Sequence, residues 1–248
     1  MDYASMIELP SGAFGRKDIE TAASRIDGFK PTQLRNLIAD LLERGDIVRV
    51  GRGTYMRSNG QSKLPYQPRC SAEVELVSRV LERDFPLLEC RVWCLSDLNE
   101  FLNHQMASSV VFAQIEHEGM EFAFESLRDS LKDEATVLLR PSTDDVARYG
   151  GDVTVTVTRL VSEAPAASDG KRSVAIEQMA VDMYADRLIA SMLPEADYPA
   201  ALEEMFARYT VNESTLFRYA RRRGKEEELA AMLRGITSVR LHGKVQND

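Results

Sequence analysis

The sequence predicts an α+β protein: an N-terminal winged helix-turn-helix module followed by a mixed-sheet α/β module that ends in helices. Three observations carry this. A leucine-striped helical segment at 30–45 runs straight into two short β-rich stretches around a glycine-flanked turn. Beyond residue 72, strand-like and helix-like stretches alternate, which implies crossover connections and a partly parallel sheet. From about residue 174 onward the pattern is helical.

The elements follow in order. Gly15-Arg16-Lys17-Asp18-Ile19-Glu20 opens a short helix that ends near Ala23, and 24–29 reads as a turn. In 30–45, K-P-T-Q-L-R-N-L-I-A-D-L-L-E-R-G, Pro31 suits a first helical turn, where no amide donor is needed. Leu34, Leu37, Ile38, Leu41 and Leu42 form one stripe, and Gly45 supplies a stop. Asp46-Ile47-Val48-Arg49-Val50, Gly51-Arg52-Gly53 and Thr54-Tyr55-Met56-Arg57 read as a hairpin. The polar run 58–63, with Pro65 and Pro68 after it, has a linker's composition. This divides the chain into a first module at 1–60, a linker at 61–71 and a second module at 72–240.

In the second module, 72–84 has helical spacing, 87–95 and 110–116 read as strands, and 120–131 as a helix. Then come a strand at 136–139, a helix at 143–149 and a Val/Thr-alternating strand at 153–161. Segment 162–172 reads as a surface loop. In 212–224, N-E-S-T-L-F-R-Y-A-R-R-R-G, Asn212 is a good cap and Gly224 a good stop. Leu216, Tyr219 and Ala220 should face inward there.

Composition narrows the function. The chain has 248 residues and a net charge of −8, which argues against coating nucleic acid along its whole surface. The charge is uneven: residues 1–63 carry ten Lys/Arg and eight Asp/Glu, so +2, and the remainder carries 21 and 31, so −10. No stretch reaches the roughly 20 apolar residues of a membrane helix, and no secretory signal is visible. Cys70, Cys90 and Cys94 read as reduced thiols, in keeping with a cytoplasmic protein.

The polar face of 30–45 is the main functional signal. Lys30, Thr32, Gln33, Arg35 and Asn36 lie at its N-terminal end, where base edges and phosphates can be met and the helix dipole favours anions. Asp40 and Glu43 lie at the far end. In winged-helix geometry this second helix enters the major groove. Arg16 and Lys17 would then meet phosphate, and Arg52 at the wing tip would reach backbone or minor groove. The competing reading is a winged module that binds protein.

These residues carry a family resemblance. G-R-K-D-I and L-I-A-D-L-L-E-R-G-D-I-V-R-V-G-R-G-T-Y-M resemble the N-terminal domain of AbiE antitoxins, from type IV toxin–antitoxin abortive-infection systems. V-W-C-L-S-D-L-N-E-F-L-N-H-Q, V-F-A-Q-I-E-H-E-G-M-E-F-A-F-E-S-L, V-T-R-L-V-S-E-A-P, I-E-Q-M-A-V-D-M and L-F-R-Y-A-R-R-R-G are similar to that group in the same order, over roughly residues 5–235. The resemblance implies a DNA-binding autorepressor of its own operon. It also implies a C-terminal domain that opposes a nucleotidyltransferase-like toxin, with or without touching it. Gln178 departs from the pattern, since a basic residue is expected after Ile176-Glu177, and this puts an ion pair at that helix in doubt.

Two further readings stay open. One is a winged-helix transcription factor whose second module senses a ligand or partner. The other is a metal-dependent nuclease using Glu116 and Glu118 at a strand end, although the lysine such nucleases place two residues beyond is absent. Cys90 and Cys94, with His104 and His117, lack the spacing of structural zinc. The expectation is therefore no enzyme, no metal and no cofactor. Arg218, Arg221, Arg222 and Lys225 form a basic stripe that could contact phosphate or an acidic partner, or could simply pair with Glu226-Glu227-Glu228.

Overall fold

A computed structural model describes residues 3–10, 12–44, 46–51, 53–57, 63, 65–102, 106, 109–167, 172–239 and 241. Side chains of 43, 50 and 51 fall outside that description, as do Gly45, Arg52 and His104 altogether. The architecture is mixed α and β with two sheets.

The first sheet is antiparallel and three-stranded, in the order β1 (Ala13–Gly15), β3 (Thr54–Arg57), β2 (Ile47–Gly51). Between β1 and β2 run α1 (Arg16–Ala23), a 3-10 turn (Pro31–Gln33) and α2 (Leu34–Glu43). This is the expected order of helix, turn, helix and hairpin. The start of the second helix differs from expectation. Lys30, before Pro31, is extended (φ −118°, ψ 138°), as a residue before proline prefers, and the first turn is 3-10 rather than α. Ile19, Leu34, Leu37 and Leu41 are buried, with Phe14 and Tyr55 from the sheet, and Leu42 is half-buried. Ala4, Ile7 and Leu9 close the same core from the N-terminal side.

The second sheet runs β4 (Cys90–Cys94), β5 (Ser109–Ile115), β7 (Val153–Arg159), β6 (Thr136–Leu139). β4 pairs antiparallel with β5, whereas β5–β7 and β6–β7 are parallel. Crossovers through α4 (Met120–Ser130) and α5 (Thr143–Tyr149) make the parallel pairing possible. Side chains alternate across it. Cys90, Val92, Cys94, Val111, Ala113, Ile115, Val155 and Val157 pack against α3 (Ala72–Asp84) and α4. Trp93, Val110 and Phe112 point to the other face, into a larger core. That core is built from α6 (Ile176–Ala185), α7 (Arg187–Ser191), α8 (Tyr198–Arg208), α9 (Glu213–Arg222) and α10 (Glu226–Gly235). The C-terminal helical stretch is thus several short helices, because Asp186, Pro194 and Gly224 interrupt it.

Two segments read from sequence as surface are partly packed. Tyr66, in the linker segment, is buried in the larger core, edge-on to Tyr209 at 5.1 Å. Ala164 and Pro165, in the loop after β7, are buried and held by the Arg91 guanidinium, which donates to both carbonyls. β2 of the first module lies against α9 of the second.

Candidate nucleic-acid interface

α1 starts at Arg16 because Gly15 leaves β1 in extended conformation and Asp18 accepts a hydrogen bond from the Gly15 amide at 2.7 Å. This leaves Arg16 and Lys17 in the first exposed turn. The second helix is set similarly. The Lys30 amide donates to Gln33 Oε1 at 3.0 Å, and the Gln33 amide donates to the Lys30 carbonyl at 2.9 Å. Gln33 is half-buried and acts as a local cap, its amide nitrogen showing no partner among the described residues. Lys30, Thr32, Arg35 and Asn36 are exposed, while Leu34 and Leu37 between them are buried. The polar and apolar sides of this helix are therefore separated within one turn. Arg49 on β2 stacks on Tyr55, 5.6 Å from the ring centroid. The turn between β2 and β3 includes Gly53 in left-handed backbone (φ 68°), a conformation glycine adopts without strain. Arg52, expected at the wing tip, lies outside the described residues.

The basic stripe of α9 is largely neutralised. Arg221 pairs with Glu226 at 2.6 Å, and Lys225 with Glu228 at 2.8 Å. Arg218 stands 4.0 Å from Glu163, and Arg222 donates to Ser162 Oγ at 2.6 Å. Two of the four cations thus pair with the Glu226-Glu227-Glu228 run, and Arg218 faces Glu163 from another segment. The exposed pairs among them are screened by water and add little to stability.

Sequence reasoning missed the buried polar cluster beside that stripe. Asp182 on α6 has no exposed surface. Its Oδ1 accepts from Tyr219 at 2.9 Å and faces Arg223 Nε at 3.4 Å. Its Oδ2 accepts from Gln114 and Gln178, both at 3.1 Å. Burial pushes its carboxyl up, against the pull of Arg223 and the two amide donors. Gln178 is fully buried here, and the ion pair of α6 is made instead by Asp182, four residues further on, with Arg223 at the end of α9. The available signal was a glutamine inside the apolar run of β5 and an acid four residues after Gln178.

Glu116 accepts from the Glu89 amide at 3.0 Å, tying β5 to the entry of β4, and Glu118 and His117 are exposed. Among the described residues, no group of three or more His, Cys, Asp or Glu side chains is placed to hold a metal. Cys90 and Cys94 are buried free thiols, and burial pushes Cys90 up to about 11. Among the described residues, no helix is long and apolar enough to cross a membrane.

A family model for DUF6577, described as a family of unknown function, matches residues 33–238. The chain belongs to DUF6577. The matched residues take in α2, β2, β3 and the second module up to residue 238. No curated protein matches this DUF6577 chain.

Proposed function

We propose that this chain binds double-stranded DNA through α2 and represses its own operon, as a cytoplasmic antitoxin of AbiE type that opposes a nucleotidyltransferase-like toxin. One observation carries the DNA part: the polar N-terminal side of the second helix is open to solvent while its leucine side is buried. Lys30, Thr32, Arg35 and Asn36 then read the major groove, Gln33 through its spare amide, and Arg16 and Lys17 hold phosphates on the adjacent helix. The antitoxin part is supported by the sequence resemblance to AbiE antitoxins. In this reading the chain performs no catalysis and takes no cofactor or metal. A second reading, a regulator whose C-terminal module senses a ligand, is favoured by the packing of α9 against β2.

The test is a gel shift with DNA from upstream of the gene against scrambled DNA of equal length, followed by co-expression with a neighbouring nucleotidyltransferase gene. The upstream DNA should be retarded at concentrations that leave the scrambled DNA free, and growth arrest by the toxin should be relieved. Equal retardation of both DNAs, or of neither, removes the operator reading. Unrelieved arrest removes the antitoxin reading and leaves the regulator.

A further inference from the structure

A cleft of about 530 Å³ opens at the carboxyl ends of β6 and β7, the end of a parallel sheet where ligands are usually held. Four guanidinium groups line it: Arg140 directly after β6, Arg187 on α7, and Arg222 and Arg223 at the end of α9. One carboxylate, Asp186, lines it too. That carboxylate is already engaged, accepting the Leu188 and Ile189 amides on Oδ1 and facing Arg223 at 3.1 Å on Oδ2. Arg140 faces Glu121 at 3.4 Å and Arg223 faces Asp182 and Asp186, so Arg187 and Arg222 are the arginines of the cleft with no carboxylate partner among the described residues, within a region, 64–248, of net charge −10.

Two features indicate that the wall is shaped for something beyond stability. Arg223 is held from behind by the Asp182 cluster, so its side chain is only 13% exposed and its orientation is set before any ligand arrives. Arg140 also sits in left-handed backbone (φ 48°), as does Glu163 (φ 64°), two residues past the lining residue Val161. Among the described residues these are the non-glycine positions with positive φ, and Arg140 lines the cleft itself. Such backbone costs on the order of 1–3 kcal/mol and concentrates at ligand sites.

We infer that this cleft binds a small phosphate-bearing molecule of nucleotide size. Planar guanidinium forks match phosphoryl oxygens two at a time, and several of them suit a ligand with more than one negative charge. The volume exceeds what a lone phosphate fills, and Leu188 and Val161 supply an apolar wall for an organic part. Arg187 contributes its charge without a carboxylate partner among the described residues. The inference stands independently of the DNA reading, because it uses no residue of the first module.

The test is calorimetric titration of the full chain with inorganic phosphate, pyrophosphate, and adenosine and guanosine mono- and triphosphates. The Arg187→Gln and Arg222→Gln variants are titrated alongside, with Arg79→Ala, an exposed arginine of α3 outside the cleft lining, as a control. The triphosphates should bind with Kd of about 1 mM or tighter, more tightly than the monophosphates, and each cleft variant should weaken them about tenfold. Thermal midpoints should be unchanged, and Arg79→Ala should bind as wild type. Pyrophosphate binding as tightly as the triphosphates would keep the phosphate site but remove the organic part of the ligand. No heat with any of these compounds, equal affinity in the variants, or Arg187-dependent binding of oligonucleotides alone would overturn the proposal.

Discussion

Arg223 Nε lies 3.4 Å from Oδ1 of Asp182, a carboxylate with no exposed surface, and it is the cation that compensates that charge. Three neutral donors, Tyr219, Gln114 and Gln178, complete the carboxylate's hydrogen bonds. Strand β5, helix α6 and helix α9 are thereby joined at one buried group.

Removing the cation should leave the charge stranded. Arg223→Met is expected to destabilise the second module by about 3–5 kcal/mol. The double variant Arg223→Met with Asp182→Asn should recover much of that loss, since the charge itself is gone. Urea unfolding of the two variants measures this. An equal loss in both would mean that packing, and not the unpaired charge, is what matters.

The contacts proposed for the first module differ in kind, so their variants should differ as well. Arg16→Ala and Lys17→Ala should weaken binding to all DNA and lower the salt slope by about one unit each. Arg35→Ala should cost about 1–3 kcal/mol on the upstream DNA and relax its discrimination. Affinities at two salt concentrations, on upstream and scrambled DNA, separate these outcomes.

The core around α2 is separate from the two cores of the second module. Leu41→Ala, at a position with no exposed surface, should cost about 2–5 kcal/mol. Because that cost falls on the small first module, DNA binding should fail at temperatures where the second module stays folded. Proteolysis near the segment 58–64, followed by mass measurement, should then release an intact C-terminal fragment.

Asp97 supplies a pH signature. It is buried at the turn after β4, accepts the Cys94 amide at 2.9 Å, and burial raises its carboxyl to about 6 from 3.8. The folded state keeps this proton over a range where the unfolded chain has lost it. The group's contribution is therefore full below pH 3.8 and is lost as pH climbs through about 6. Asp97→Asn keeps the acceptor and removes the titration. Relative to wild type it should gain stability on going from pH 4 to pH 7, by at most about 3 kcal/mol. A constant difference across that range would place the charge elsewhere.

Elements with a clear period were legible in the sequence. The leucine stripe of α2, the Val/Thr alternation of β7 and the capped segment from Asn212 to Gly224 all fold where periodicity and caps put them, because each depends on residues within a few positions. Exposure of Lys30, Arg35 and Asn36 follows from the same rule, since the side opposite a buried stripe faces out. Short-range rules stop where partners come from afar. Whether Arg218, Arg221 and Lys225 were free or paired depended on where Glu163, Glu226 and Glu228 lie. Arg223, within the span of the stripe read from sequence but not counted in it, became the buried member only because α9 crosses α6 at Asp182. Periodicity sorts inside from outside along one element, but it carries no information about which elements meet. The burial of Gln114, Gln178 and Asp182 and the gathering of four arginines at one sheet end were therefore decided by the tertiary fold, which alone sets distances between residues far apart in the chain.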